Sequence, residues 1–456
     1  MVGTGRRRRT TFRRATVLLV VGALLSGCAG AGALGGGGGT RLTVAIVANP
    51  QMKDAITLSP RFERDHPNID LNFVTLPENE ARAKITASVA TSGGEYDIVM
   101  VSNYETKMWA KNGWLTDLRP YMAQDPSYDK SDFFPSLREA LSYKGHMYSV
   151  PFHGESSFLV YRKDLFAKAG IQMPAHPTWP QVARMAGRLN DPDHGVSGIC
   201  LRGLPGWGEV LAPLDSVINA FGGRWFDKNW HAQLTSPKVR KAVKFYVKMV
   251  RKHGEAGAAT SGFSECVTRY SQGHAAMWYD ATSMVSTIEA EGSSTVAGKN
   301  GYVPAPTYNG QQSGWLYTWS LGVPTTSEHK TAAWKFIDWM TNKQYIKTVG
   351  KQLGWARVPP GSRISTYQIP QVKKASGAYL QPMMKALKTA DEKHPTVKPV
   401  PYEGLQFLRI PEFQDLGTRV SQQIAAAIAG RITVDQALRQ SQQYAATVGK
   451  TYREQG

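Results

Sequence analysis

Aromatic residues stand beside carboxylates, amides and arginines at several places in this chain. Trp207 lies two residues before Glu209, in Gly206-Trp207-Gly208-Glu209. Arg224-Trp225-Phe226-Asp227 follows Gly222-Gly223, and Trp278-Tyr279-Asp280 closes an apolar stretch. Trp315 and Trp319 flank Tyr317, and Trp355 precedes Arg357 by two. This mixture suits a polyhydroxylated ligand. Its C–H faces lie on rigid aromatic rings. Its hydroxyls need donors and acceptors in pairs, which carboxylates, amides and guanidinium groups supply. Such a site rejects ligands without hydroxyls, because its buried polar groups would stay unsatisfied. Trp334 and Trp339, on a helical pattern, read as core. Trp207, Trp278, Trp319 and Trp355 stand open between core and ligand contact.

Catalytic signatures are scarce. The chain has no His-Glu-x-x-His, Cys-x-x-Cys or Gly-x-Ser-x-Gly string. Gly449-Lys450-Thr451 ends like a phosphate loop, but Tyr444 stands where the first glycine belongs. The ten histidines are scattered, and only His153 is placed in a site. The reading is therefore capture without catalysis, with no cofactor and no metal.

Residues 42–48, 69–76 and 96–101 read as buried strands, separated by helical segments at 52–66 and 80–90. Strands alternating with helices predict βαβ units and a parallel sheet. Ligands of such sheets sit beyond the carboxyl ends of the strands. Those ends lead into Asn49-Pro50, Pro77-Glu78-Asn79 and Ser102-Asn103-Tyr104-Glu105, so three polar loops converge on one rim. Further helices are read at 236–254, capped by Ser236 and stopped by Gly254, from the cap Ser327 through Ile337, at 412–429 and at 432–444. The many basic residues of 236–254 read as a solvated face.

The first forty residues are of another kind. Arg6 to Arg9, Arg13 and Arg14 precede an apolar run from Ala15 to Leu25, which ends in Leu25-Ser26-Gly27-Cys28. This order describes a secretory signal, and the run of about eleven residues is short of the roughly 20 a membrane-spanning helix needs. Its end matches the lipobox of bacterial lipoproteins, which makes Cys28 the lipidated residue after cleavage of 1–27. Gly35 to Gly39 make 28–40 a flexible tether. The chain of 456 residues carries a formal charge of +19, of which the six leader arginines supply six and leave +13. An exported chain does not meet cytoplasmic nucleic acid, and none is expected as partner. Cys200 and Cys266 remain, an even pair outside the cytoplasm, open between a disulfide and two buried thiols.

Longer strings carry a family resemblance. They are 152–158 (Phe-His-Gly-Glu-Ser-Ser-Phe), 161–166 (Tyr-Arg-Lys-Asp-Leu-Phe), 198–203 (Gly-Ile-Cys-Leu-Arg-Gly), 206–209, 221–227, 277–281 (Met-Trp-Tyr-Asp-Ala), 354–361 and 394–402. With these the chain resembles the family 1 extracellular solute-binding proteins, the maltose-binding-like receptors of bacterial ABC importers, and within them the sorbitol/mannitol-binding branch. His153 stands where those polyol receptors usually carry Tyr, and Tyr279 where they carry Ile. The resemblance implies an α/β, two-lobed, type II periplasmic-binding-protein-like fold, with the ligand cleft between lobes joined by a three-crossing hinge. The crossings would fall near 149–153, 318–322 and 356–359. The N-terminal lobe would be 41–150 plus 322–357, and the C-terminal lobe 151–320 plus 358–456.

By position, Asn49, Glu78, Asn79, Tyr104, Glu105, His153, Glu155, Arg202, Trp207, Arg224, Asp280, Trp319, Trp355 and Tyr402 would bind ligand. The implied function is delivery of a sorbitol- or mannitol-like polyol, or a related monosaccharide, to the membrane subunits of an ABC importer. The receptor would be a monomer, held outside the cytoplasm by its N-terminal lipid alone. A disaccharide or glycerol phosphodiester ligand, or an exported carbohydrate-active hydrolase, is the alternative.

Overall fold

A computed structural model describes residues 39–311 and 314–455. The leader 1–27, Cys28 and the tether up to residue 38 lie outside the described residues. Within them the strands are, in chain order, β1 (Thr40–Val47), β2 (Ile69–Leu76), β3 (Ile98–Ser102), β4 (Ser142–Tyr143), β5 (His146–Met147), β6 (Ser149–Glu155), β7 (Ser157–Arg162), β8 (Met277–Ala281), β9 (Asn300–Pro304) and β10 (Tyr317–Gly322). β4 and β5 form a tight hairpin whose turn residues Lys144 and Gly145 both have positive φ, 49° and 78°, as a type I′ turn requires.

The first sheet has the order β2-β1-β3-β10-β6. β1 runs parallel to β2, from Thr40 opposite Ile69 to Val47 opposite Leu76, and parallel to β3. These are the three strands the apolar runs predict. Helices Pro50–Asp65 and Glu78–Ala90 connect them. The first begins at once because the Asn49 Oδ1 accepts the Met52 N–H at 2.8 Å and Pro50 follows in the first turn. Helix Asn103–Lys111 starts directly from β3 on a capping box made by Ser102 and Glu105.

The parallel arrangement expected of β1, β2 and β3 is met, but the sheet does not stay parallel beyond them. β10 enters antiparallel between β3 and β6, with Trp319 opposite Ser102 on one side and His153 on the other. Local periodicity marks a strand but carries nothing about a partner this distant in the chain.

The second sheet, in the order β8-β7-β9, is antiparallel throughout. Only Ser156 separates β6 of the first sheet from β7 of the second. Beside this passage Gly154 and Gly361 touch through their backbones. A Cβ on Gly361 would lie 1.9 Å from the Gly154 carbonyl oxygen, so no side chain fits there.

The basic helix spans Pro237–His253 and buries Val239, Ala242, Val243, Tyr246, Val247 and Val250, the stripe its periodicity predicts. Two capping expectations are corrected. Ser236 makes no side-chain cap bond. The helix expected from Ser327 begins at Lys330, while Ser327 donates to Asp97 instead, at 2.7 Å. The last helix runs Val434–Gln455, beyond the expected end at 444, and places Lys450 and Thr451 in helix rather than in a phosphate loop.

Cys200 and Cys266 are joined in a disulfide, with Cα atoms 5.8 Å apart. It closes a loop across 66 residues between the Ile199–Leu201 segment and helix Phe263–Ser271. A loop of this length confers about 2–4 kcal/mol, largely by restricting the unfolded chain. The Cys200→Ala/Cys266→Ala variant should lose stability in that range in urea unfolding. An unchanged midpoint would show that the bridge contributes nothing.

Candidate functional site

A cavity of about 260 Å³ opens at the carboxyl ends of β1 and β2. Val47, Ala48 and Asn49 enter it from β1, and Pro77 and Glu78 from β2. Its aromatic wall is Trp315, Tyr317 and Trp319 on and before β10, with Phe263 and Phe407. His153 and Glu155 come from β6, and Arg202, Gly208 and Glu209 from the loop after Cys200. Gln51, Ser283 and Gln406 add polar groups.

Two buried guanidinium groups organise this wall. Arg82, 5% exposed, donates to Glu78 at 2.8 Å, to Glu105 at 2.7 Å and to the Tyr317 hydroxyl. Its guanidinium carbon lies 4.0 Å from the Trp207 ring centre and 4.5 Å from that of Trp319, within cation–π range. Arg202 pairs with Asp280 through Nε at 2.8 Å and Nη2 at 2.5 Å, and gives Nη1 to the Gly208 carbonyl at 2.9 Å. Asp280 is wholly buried and also accepts from the Trp278 indole at 3.2 Å and the Ala281 N–H at 2.7 Å.

The Gly-Trp-Gly string explains how loop 204–209 comes so near. A Cβ on Gly208 would lie 2.3 Å from Glu78 Oε1, and one on Gly206 2.3 Å from Asn79 Oδ1. These glycines let the loop rest on helix Glu78–Ala90, where Asn79 Nδ2 donates to the Pro205 carbonyl at 3.0 Å.

Burial sets the protonation of the remaining groups. It lowers the His153 pKa to about 3, so the imidazole is neutral. Its Nε2 lies 3.8 Å from Glu155, which is therefore not an ion pair. Burial pushes Glu155 up to about 8, against the opposing effect of a Ser283 hydrogen bond and of Arg202. It raises Glu209 as well, again against Arg202. A neutral carboxyl both donates and accepts, which is what a hydroxyl needs.

Of the residues expected by position, Asn49, Glu78, His153, Glu155, Arg202 and Trp319 line the cavity. Glu105, Trp207 and Asp280 stand directly behind it, holding Arg82 or Arg202. Tyr104 lies further back, packed on Trp207 at 4.9 Å with its hydroxyl donating to the Ile410 carbonyl. Asn79 borders a neighbouring recess with Arg82 and Trp207.

Arg224, Trp355 and Tyr402 are not brought to the cavity. Arg224 donates to the Pro399 carbonyl at 2.9 Å, the Tyr402 hydroxyl accepts the Trp225 N–H at 3.2 Å, and Trp355 packs on Gly350. Arg82 is the main residue that sequence reading passes over, and its one signal is the spacing of four from Glu78. Gln51, Phe263, Ser283 and Gln406 carry no local signal.

This fold and site define a class. Residues 48–347 match the model of the bacterial extracellular solute-binding protein family, and the chain belongs to that family, with its two-lobed α/β fold. Over 403 residues it is 41% identical to the mannitol-binding protein of Pseudomonas aeruginosa, covering 88% of this chain and 91% of that protein. It is also similar to an ABC transporter solute-binding protein of Agrobacterium vitis solved with bound D-mannitol. There the identity is 43% and the TM-score 0.88, over 91% of this chain and 99% of the other. A ribitol complex of a solute-binding protein from Agrobacterium radiobacter shares the fold, with a TM-score of 0.79 at 24% identity over 90% of this chain and 99% of the other. Among the described residues no helix is long and apolar enough to cross a membrane.

Two outcomes follow from the buried charges. Arg82→Ala leaves Glu105 buried, and Glu78 partly buried, without their cation and should cost about 3–5 kcal/mol in chemical unfolding. A loss under about 1 kcal/mol would mean the pairing is not structural. Glu155, by contrast, keeps its proton in the folded protein up to about pH 8 but loses it near 4.5 when unfolded. Its contribution to stability is thus complete below about pH 4.5 and lost as pH rises through about 8. Glu155→Gln should flatten the ligand-free melting temperature across that window, and an undiminished slope would place the titration elsewhere.

Proposed function

We propose that this protein captures a sugar alcohol of the sorbitol or mannitol kind, or a related monosaccharide, and delivers it to the membrane subunits of an ABC importer. The observation that carries this reading is the cavity itself. Aromatic faces of Trp315, Tyr317 and Trp319 stand with Glu78, Glu155, Glu209 and Arg202 around a space of about 260 Å³. That pairing of apolar face with donor and acceptor is what a polyol presents in mirror image. The D-mannitol complex of a 43% identical chain supports the same ligand class.

The cavity-lining residues Asn49, Glu78, His153, Glu155, Arg202 and Trp319 are the proposed contacts, with Asp280, Glu105 and Trp207 holding them in place. Closure of one lobe against the other, about the expected crossings near 149–153, 318–322 and 356–359, is the proposed capture step, driven by contacts the ligand makes with both lobes. The passage between sheets at Ser156 supports a hinge there. Binding is the whole of the proposed activity, and no bond of the ligand is broken. A lipid on Cys28 is the proposed anchor, outside the cytoplasm, for a monomeric receptor.

A thermal-shift screen of hexitols, pentitols, hexoses and disaccharides tests the reading. Ligand at 100 times its Kd should add about 2.7 kcal/mol of stability. A screen in which no carbohydrate moves the melting point would sink the proposal. Trp319→Ala should weaken hexitol binding at least tenfold, about 1.4 kcal/mol, in titration calorimetry. Arg224→Ala, outside the cavity lining, should leave it unchanged.

A further inference from the structure

Trp207 stands between elements of the two sheets. Its loop is tied to the second. The Cys200 N–H donates to the Met277 carbonyl of β8 at 2.9 Å, and Arg202 is held by Asp280 of the same strand. The Trp207 ring, 5% exposed, is turned the other way. Its centre lies 4.0 Å from the Arg82 guanidinium carbon and 4.9 Å from the centre of the Tyr104 ring. Arg82 and Tyr104 sit on the helices that follow β2 and β3 of the first sheet.

Arg82 is a finished platform without Trp207. Its ion pairs go to Glu78 on its own helix and to Glu105 on the helix after β3, and it donates to the Tyr317 hydroxyl of β10. A second indole, that of Trp319 on β10, lies 4.5 Å from the same guanidinium carbon. All of these partners belong to the first sheet or its helices, so they stay in place when the lobes part. The Trp207 contact does not. Opening the cleft breaks no ion pair of Arg82 and strips one ring from it. Trp207 is also absent from the lining of the cavity and borders the neighbouring recess with Asn79 and Arg82. A ligand in the cavity therefore does not account for its position.

We propose that Trp207 is the latch of the closed form, a positioning residue that sets how long a ligand is held without touching it. The inference rests on the two-lobed capture reading of the same cleft. The ring seats on Arg82 only when the lobes close, and a cation–π contact shielded from water is stronger than an exposed one. Asn79, donating to the Pro205 carbonyl at 3.0 Å, guides the same loop to its seat. The latch adds to the ligand's own contacts a contribution that is equal for every ligand. It forms after encounter, so it slows release and leaves association unchanged. It also holds part of the ligand-free population closed.

Stopped-flow kinetics of the full mature chain with D-mannitol and with ribitol, joined to small-angle X-ray scattering of the ligand-free protein, tests the latch. Trp207→Leu keeps apolar bulk and removes the ring, whereas Trp207→Phe keeps a smaller ring. Trp207→Leu should raise the dissociation rate of both polyols by the same factor, about tenfold, with the association rate constant unchanged. Trp207→Phe should raise both by a smaller common factor, and it carries the same test if circular dichroism shows Trp207→Leu to be unfolded. The ligand-free variants should have a larger radius of gyration than the ligand-free wild type.

An unchanged dissociation rate, unequal factors for the two polyols, or an unchanged radius of gyration each overturns the inference. Unequal factors would mean that Trp207 touches the ligand. If the wild-type protein binds neither polyol, the polyol reading fails and the scattering alone decides. A more open variant then upholds the latch, and an unchanged radius rejects it.

Discussion

The burial of the Arg82 guanidinium constrains the site more than any other single contact. A charge so deep must be neutralised and hydrogen-bonded or the fold fails. Meeting that demand fixes four parts of the chain at once. Glu78 comes from the same helix, Glu105 from the helix after β3, Tyr317 and Trp319 from β10, and Trp207 from a loop more than a hundred residues later. Behind Trp207, Tyr104, Phe407 and Phe413 pack ring against ring and keep water from the pair, which strengthens every charge interaction there.

Arg202, from the loop after Cys200, repeats the device. With Asp280 beneath it and the Gly208 carbonyl on its third nitrogen, it is a brace rather than a loose cation. The two braces leave the cleft's adaptable polar groups to the carboxyls of Glu155 and Glu209 and to the neutral ring of His153. A rigid frame with neutral hydrogen-bonding groups between its struts suits an uncharged, hydroxyl-rich shape, because little reorganisation is needed to receive it.

Much of this was legible in the sequence, for reasons particular to each part. β1 and β3 are largely apolar and β2 alternates apolar with polar residues, and the rule that ligands gather beyond such strands points to Asn49 and Glu78. Trp319 and Asp280 were found by their neighbours in sequence. Arg82 was not, because an arginine four residues after a glutamate on a helix usually marks a solvated surface pair; only tertiary burial makes it central. Arg224, Trp355 and Tyr402 sit in the same mixture of aromatic and polar residues as the others, yet their partners are the Pro399 carbonyl, Gly350 and the Trp225 backbone. Local composition is identical whether such a residue faces a cavity or the core. The antiparallel place of β10 had no local sign at all.

That place of β10 also orders events in time. The five-stranded sheet cannot close until residue 322 exists, although β3 ends at Ser102. At ribosomal speeds of about 5–20 residues per second, the edge of β3 waits roughly 10–45 seconds for its neighbour. A strand edge left unpaired that long is a template for wrong partners, and closing so distant a pair is slow. Closure of this sheet therefore waits until synthesis has passed β10.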